Sequence, residues 1–269
     1  MYKRQLEEYR RMESEDLDGF IKRERYVSSI TERYVYSEKE IEQADLLIWH
    51  CHTVRRHDDL IGYGYGGPPS AEFDFSTGCV CCKIGAEQKS PLRLKRRIIP
   101  KEEKGVFRTP YYDVMISRHL YDAFRKAEVT GARFIEAVSY EDGTPLGWYQ
   151  IIPVYELPRF DERTQGFEVD PAFQCPVCQK DSYYNGTYEA NLYVYSRKEV
   201  DPDDLPDICC SWERLGASSL KNYLEKERKY WILPAPFLYV KPRVMKIIRK
   251  LQKERKVAKT SFEPVHFWD

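Results

Sequence analysis

The sequence of 269 residues lacks a net charge and lacks any long hydrophobic run. Its 43 basic residues balance its 43 acidic residues, whereas nonspecific nucleic-acid binding usually requires an excess of positive charge. No stretch approaches the roughly 18 apolar residues of a membrane span. Residues 1–30 are charged throughout and lack the apolar core of a signal peptide. We therefore expect a protein of the cytoplasm that binds neither membranes nor nucleic acid.

Signatures of common catalytic sites are also missing. The glycine-rich segment Gly62–Pro69 does not match a phosphate-binding fingerprint, and no Ser-His-Asp or Gly-x-Ser-x-Gly arrangement occurs. The segment His50–Asp59, which contains His52, His57 and Asp58, has the residue types of a hydrolytic metal site. No second group stands out to complete a two-metal centre, so a polar loop is the preferred interpretation. We expect no enzymatic activity, and a metal-dependent hydrolase is kept as an alternative.

Eight cysteines are present, and in a chain without an export signal they favour metal binding over disulfides. Four of them form two Cys-x-x-Cys turns, Cys79–Cys82 (the first knuckle) and Cys175–Cys178 (the second knuckle). Each turn aims two thiolates at one point, and two turns complete the tetrahedral shell that zinc prefers. The sequence thus predicts one structural zinc site whose ligands are Cys79, Cys82, Cys175 and Cys178.

Other ligand sets remain open, because 92 residues separate the knuckles and zinc fingers usually have far shorter spacings. Cys51 or His50 would then complete a site at the first knuckle, and Cys209 or Cys210 at the second. A redox function for either knuckle is disfavoured, since a reactive Cys-x-x-Cys lies at a helix N-terminus and neither knuckle leads into a helical pattern.

An internal repeat with an offset of 124 residues follows the knuckles. Val114–Ile116 is a predicted strand, Ser117 a predicted N-cap, and Arg133–Val138 a returning strand after Gly131. The second copy has strands at Leu238–Val240 and Thr260–Val265. Between the strands, apolar residues recur at helical spacing in both copies: Leu120, Ala123, Phe124, Ala127, and Val244, Ile247, Ile248, Leu251.

These patterns predict an α+β fold with duplicated strand-helix-strand units and two zinc-ribbon-like Cys-x-x-Cys knuckles. Residues 1–69 are a variable N-terminal segment with one helix that opens at the Ser37–Glu40 capping box and continues through Ile48. Residues 1–5 resemble a translated sequencing adapter and are expected to be foreign. Residues 70–141 and 142–269 form two halves of one composite domain. The Asn185-Gly186 dipeptide predicts a hairpin between Tyr183 and Tyr195.

The order of these features resembles the double-CxxCG motif family of bacteria. The first half of the resemblance lies in Met115–Leu120 and Val129–Phe134, and the second in Cys175–Cys178 and Ser261–Val265. It implies an immunity protein that binds and neutralises a cognate, contact-delivered protein toxin, with zinc in a structural role. The alternative is a zinc-ribbon nucleic-acid-binding or regulatory module.

The chain departs from that family directly after each knuckle. The family has glycine there, whereas this chain has Lys83 and Gln179. Glycine relieves a left-handed backbone, which costs other residues about 1–2 kcal/mol. We therefore expect either strained knuckles at these two residues or a degraded zinc site.

Overall fold

The computed structural model describes residues 35–51, 71–101, 104–109, 113–185, 192–216 and 234–269. These ranges contain the helices α1 (Glu38–Gln43), α2 (Arg118–Lys126) and α3 (Pro242–Lys253), and a short 3-10 helix, Arg96–Ile98. The strands are β1 (Leu46–His50), β2 (Phe73–Asp74), β3 (Glu87–Gln88), β4 (Arg93–Leu94), β5 (Val106–Arg108), β6 (Val114–Ser117), β7 (Ala132–Ser139), β8 (Pro145–Pro153), β9 (Phe167–Val169), β10 (Tyr183–Asn185), β11 (Val194–Ser196), β12 (Ile208–Leu215), β13 (Ala235–Val240) and β14 (Ser261–Trp268).

The strands form two large sheets and one small one. The first large sheet has seven strands in the order β11-β14-β1-β13-β12-β10-β9, and the second has five in the order β4-β7-β8-β6-β5. Strands β2 and β3 form a separate antiparallel pair. The predicted α+β class is confirmed.

One apolar core joins the two large sheets. It contains Ile116 and Tyr149 from the five-stranded sheet, and Leu47 and Val240 from the seven-stranded sheet. The buried faces of α2 and α3 lie in the same core, since Leu120, Phe124, Val244, Met245, Ile248 and Leu251 belong to it. The helices therefore pack where one face of each sheet meets the other.

Both predicted helices lie between strands at the expected places, with Ser117 at the N-cap of α2 and Pro242 in the first turn of α3. Strands β6 and β7, before and after α2, are each antiparallel to β8, which lies between them. Strands β13 and β14, around α3, flank β1 in the same way. However, β8 directly follows β7 in the chain, whereas β1 comes from the N-terminal segment. The duplication of one ancestral unit stays a prediction.

The N-terminal helix is shorter than predicted. The capping box is confirmed, because Ser37 Oγ accepts a hydrogen bond from the Glu40 backbone and Glu40 Oε2 accepts one from the Ser37 backbone. The helix ends at Gln43, and the expected continuation through Ile48 is wrong. The four buried residues Leu46–Trp49 form a central strand instead. A short apolar run can form either a helix or a strand. Here the run forms a strand because it pairs with β13 on one side and β14 on the other.

A buried carboxylate forms a second link between the two sheets. Asp207, just before β12, accepts hydrogen bonds from the Thr130 backbone at 2.8 Å and the Thr130 hydroxyl at 3.0 Å. Arg243 of α3 donates to both of its oxygens. Next to Thr130, Gly131 has a φ of +87°, and a Cβ there would lie 2.1 Å from the Ile208 carbonyl oxygen. The turn between α2 and β7 thus fits closely against the start of β12.

Candidate metal centre

The first knuckle forms the tip of a short antiparallel ribbon, residues 73–88 (the first ribbon). Phe73 pairs with Gln88 and Asp74 with Glu87. Just before the knuckle, a Cβ on Gly78 would lie 2.5 Å from the Lys83 carbonyl oxygen. Any residue other than glycine at position 78 would therefore clash with the backbone carbonyl of Lys83, where the chain returns past Cys79.

The second knuckle forms the tip of an equivalent ribbon, residues 167–185 (the second ribbon), in which β9 pairs with β10. Strand β10 also pairs in parallel with β12, so this ribbon belongs to the edge of the seven-stranded sheet. In the described parts of the hairpin predicted between Tyr183 and Tyr195, the two arms do not pair with each other, because β10 pairs with β9 and β12 and β11 pairs with β14. Residues 186–191, which include the turn residue Gly186 and carry the rest of that prediction, lie outside the described residues.

Both knuckles have the same backbone turn. The Lys83 N–H donates to the Cys79 carbonyl oxygen at 2.9 Å, and the Gln179 N–H donates to the Cys175 carbonyl oxygen at 3.0 Å. Lys83 has a φ of +63° and Gln179 a φ of +58°. The left-handed backbone expected at these two positions is therefore confirmed, and the turn forms without glycine.

Different groups support the first cysteine of each knuckle. The Cys79 N–H donates to the Ile84 carbonyl oxygen at 2.9 Å. The Cys175 N–H donates at 2.7 Å to Asp181 Oδ1, a fully buried side chain. Sequence reasoning missed Asp181, because an acid six residues after a cysteine is not a recognisable signal by itself.

The four predicted ligands come together although they are far apart in the chain. Cys79 Sγ lies 3.8 Å from Cys175 Sγ, and Cys82 Sγ lies 3.3 Å from Cys178 Sγ. All four sulfurs lie within 4.8 Å of one another. Zinc–sulfur bonds of about 2.3 Å in a tetrahedron place sulfurs about 3.8 Å apart. The separations exceed the S–S bond of about 2.05 Å, and all eight cysteines are free thiols. This cluster has the donors and the size to hold a metal ion.

The thiols of the cluster differ in acidity. Burial opposes ionisation of Cys175, but hydrogen bonds from the backbone N–H groups of Cys178 and Val177 and from the neighbouring thiols together outweigh it and lower the pKa of this thiol to about 7. Burial raises the pKa of Cys178 to about 11 and raises that of Cys82 further. Four thiolates this close together require a cation, since like charges oppose ionisation.

The alternative ligands lie elsewhere. Cys51 packs against the core between the sheets, Cys209 belongs to the core on the opposite face of the seven-stranded sheet, and Cys210 is buried. Burial raises the pKa of Cys51 to about 12 and that of Cys210 to about 11. Among the described residues, the four-cysteine group is the one cluster of histidine, cysteine or carboxylate side chains that could hold a metal ion.

Only the beginning of the predicted hydrolytic cluster lies in the described ranges. His50 Nε2 lies 2.9 Å from Glu263 Oε2 across the pair formed by β1 and β14. The other residues that carry that hypothesis, His52, His57, Asp58 and Asp59, lie outside the described ranges.

Comparison of the chain with protein-family models found no match, and comparison with curated proteins found none either. In the described ranges, every helix is too short or too polar to cross a lipid bilayer.

Proposed function

We propose that this protein is a non-enzymatic immunity protein that binds and occludes a protein toxin in the cytoplasm, with a structural zinc ion between its two ribbons. The resemblance to the double-CxxCG motif family supports the kind of partner. The geometry of the two ribbons supports the binding role and its location, as the following observations show.

The donor set favours zinc in a structural role. Four thiolates close the tetrahedral shell and leave no open position for water or substrate, which is the arrangement of structural rather than catalytic zinc sites. Cys82 and Cys175 are buried, and Ile84 packs against them. Purified protein should contain one zinc ion per chain. Substoichiometric zinc with four freely alkylated thiols would contradict this part of the proposal.

The observation that carries the binding role is the exposed apolar surface at the two knuckles. Val80 in the first knuckle is 78% exposed, Val177 in the second is 60% exposed, and Phe173 nearby is 50% exposed. Of the ten large hydrophobic side chains exposed in the described ranges, five lie on the two ribbons: Val80, Val169, Phe173, Val177 and Tyr184. The four sulfurs lie within 4.8 Å of one another, so these exposed apolar side chains belong to two adjacent tips. Such a surface is typical of a protein–protein contact.

The same tips lack charge. Residues 75–82 and 171–179 contain no acidic or basic side chain, although 32% of the chain is charged. The centres of protein interfaces are depleted in charged residues, whereas binding to phosphates requires lysine and arginine. The tips therefore suit an apolar patch on a protein partner.

The experiment pairs the chain with a toxin encoded beside its gene. The chain should protect cells that express the toxin and should co-purify with it at one-to-one stoichiometry. Val80→Asp combined with Val177→Asp should abolish both effects and leave one zinc ion per chain. The matched control is Val154→Asp, a site that is 62% exposed, directly follows β8 and belongs to neither ribbon. Protection by the double variant, or no protection from any adjacent toxin, would overturn the proposal.

A second candidate function, nucleic-acid binding, is favoured by one feature of α3. Lys246, Lys250 and Lys253 are exposed along one face of this helix. Each phosphate that a lysine neutralises would make binding weaker as salt increases. Salt-dependent binding of DNA or RNA that Lys250→Glu removes would favour this function, and no binding at low salt would exclude it.

A further inference from the structure

Strand β12 contains a bulge that brings Trp212 to the surface beside the second ribbon. The register of β12 against β13 shifts between Cys210 and Arg214. Trp212 is half-buried, whereas its chain neighbours Ser211 and Glu213 are both buried. A bulge places an extra residue in a strand and re-aims its side chains. The bulge thus accounts for a large aromatic side chain at the surface in an otherwise buried part of the strand.

Buried polar groups hold the bulge in one shape. Ser211 Oγ donates a hydrogen bond to the Glu213 carbonyl oxygen at 2.6 Å. The Arg214 guanidinium donates to the carbonyl oxygens of Ser211 and Trp212 and to Glu156 Oε2. Because these bonds satisfy backbone groups that a bulge leaves outside the ladder, the Trp212 backbone is fixed before any partner binds. A pre-organised contact loses less entropy on binding than a flexible one.

Two cations lie against the Trp212 ring. The Arg159 guanidinium carbon is 4.1 Å from the ring centre, and Lys180 Nζ is 5.7 Å from it. Lys180 forms an ion pair with Glu156, but no acidic side chain in the described ranges forms one with Arg159. Arg159 is exposed, and its Nη2 donates to Gln179 Oε1 at 3.1 Å. A guanidinium has five N–H donors, so this bond leaves Arg159 with donors for a further acceptor.

We propose that Arg159, stacked on Trp212, binds an acidic side chain of the protein that covers the two tips. The inference rests on the proposed binding role of the tips and names the chemistry of the partner there. Gln179 ends the uncharged segment 171–179, so its bond to Arg159 sets a positive charge at the border of that surface. A guanidinium binds a carboxylate through two parallel N–H···O bonds. Arginine and tryptophan are also enriched among the residues that dominate the affinity of protein interfaces.

A phosphate would also fit the guanidinium, but the surroundings favour a protein. Nucleic acids bind through several cations along one surface. The segment next to Arg159 carries exposed apolar side chains instead. Near Trp212, Lys180 and Arg214 both pair with Glu156, which leaves Arg159 as the unpaired cation there within the described part of the chain. One such charge beside an apolar surface suits one carboxylate at the polar rim of a protein interface.

The test measures the affinity of the purified, zinc-loaded chain for the toxin encoded beside its gene, by titration calorimetry at low and at high salt. Arg159→Ala should raise the dissociation constant at least tenfold at low salt, and Arg159→Glu should raise it further because it brings two carboxylates together. Arg159→Lys should fall between the parent and Arg159→Ala, because lysine keeps the charge but not the planar fork. The parent should lose affinity with salt more steeply than Arg159→Ala, which a purely structural loss would not produce.

The matched control is Arg163→Ala. Arg163 also lies over a tryptophan, with its guanidinium carbon 5.5 Å from the Trp268 ring centre, but it already pairs with Asp161 at 3.6 Å. Its loss should change the dissociation constant less than twofold. All of these variants should keep one zinc ion per chain and the melting temperature of the parent.

The outcomes separate this inference from the proposed function. An Arg159→Ala chain that binds the toxin within twofold of the parent, or whose loss of affinity is the same at low and high salt, overturns the inference and leaves the proposed function intact. Binding of a single-stranded DNA oligonucleotide that Arg159→Ala removes also overturns it, since the acceptor would be a phosphate. A parent chain that does not bind the toxin overturns the proposed function and the inference with it, so the two failures are distinguishable.

Discussion

The two ribbons share a turn but belong to different parts of the molecule. The first ribbon is attached to the five-stranded sheet, because Gln88 of β3 and Gln150 of β8 exchange two amide hydrogen bonds, at 2.8 and 3.1 Å. Phe73 of the same ribbon packs against a core that contains Met115 and Trp148 of that sheet. The second ribbon is itself the edge of the seven-stranded sheet. The four sulfurs therefore lie where the two sheets meet through their ribbons.

This difference indicates what a metal would add. Strand pairing with β12 supports the second ribbon, whereas the first consists of two two-residue strands. A pair of strands is marginal in water without further packing. We infer that a metal ion bound there would stabilise the first ribbon more than the second, because it would tie the first ribbon to the larger sheet.

The largest effect should come from breaking the sulfur cluster. Structural zinc contributes an apparent 10–16 kcal/mol in zinc-finger peptides, on the order of the whole stability of a domain. We expect Cys175→Ser to remove zinc and to lower the melting temperature strongly. Hydrogen exchange should become fast in residues 73–88 before it does so in residues 167–169. The control Cys51→Ser removes a partly buried thiol outside the cluster and should keep its zinc. Equal exchange in both ribbons would contradict the difference between them.

The next largest effect concerns Glu213 of β12, the strand that supports the second ribbon. Burial raises the pKa of Glu213 from 4.5 to about 7, and its Oε2 atom has no hydrogen-bond partner in the described ranges. The folded state thus binds a proton more tightly than the unfolded state, and the protein loses stability as the pH rises from 4.5 to about 7. Glu213→Gln should therefore increase the free energy of unfolding by about 3 kcal/mol at about pH 8.

Urea unfolding of both proteins measures this effect. The gain should shrink as the pH falls and should vanish near the ordinary pKa of glutamate. A gain that is the same at every pH would show that Glu213 does not titrate as described.

A smaller effect should follow from weakening the other link between the sheets. Burial opposes ionisation of Asp207, but hydrogen bonds from Arg243 and Thr130 hold its pKa below the ordinary value of 3.8. This stabilisation is present above that value and is lost as the pH falls below it. Asp207→Asn should lower the free energy of unfolding by about 2 kcal/mol at neutral pH, because charged hydrogen bonds are lost.

Denaturant unfolding and zinc analysis test this prediction together. The variant should keep one zinc ion per chain, because the ribbons and the Asp207 link are separate contacts between the sheets. Loss of zinc in Asp207→Asn would show that the two links depend on each other.

The smallest expected change in the free energy of unfolding comes from placing glycine after each knuckle, and it tests whether the two turns are equivalent. Glycine adopts the left-handed backbone of Lys83 and Gln179 without the cost of about 1–2 kcal/mol, but it loses more entropy on folding. Lys83→Gly and Gln179→Gly should each raise the free energy of unfolding by about 0.5–1 kcal/mol. Lys180→Gly, just outside the second turn, should be destabilising. A gain at one turn and a loss at the other would mean that the turns are not equivalent.

Local chemistry made part of this structure predictable. The Cys-x-x-Cys spacing sets the turn, and therefore the four sulfurs could be named from the sequence. The left-handed backbone at Lys83 and Gln179 was expected from the resemblance to a family that has glycine at both positions. The stripes of α2 and α3 were equally clear, because helical periodicity is encoded over a few residues.

Long-range pairing decided what could not be predicted. The run Leu46–Trp49 suits a helix or a strand, and its place between β13 and β14 depends on residues about 200 positions away. Likewise, β10 pairs with β9 and β12 rather than with the strand that follows it.

X-ray absorption at the zinc edge of the purified protein tests the central claim most directly. The account predicts one zinc ion per chain with four sulfur neighbours at about 2.3 Å, two from each ribbon. A zinc ion with nitrogen or oxygen in place of two sulfurs would contradict it, because each knuckle would then bind its own metal and the ribbons would not be joined.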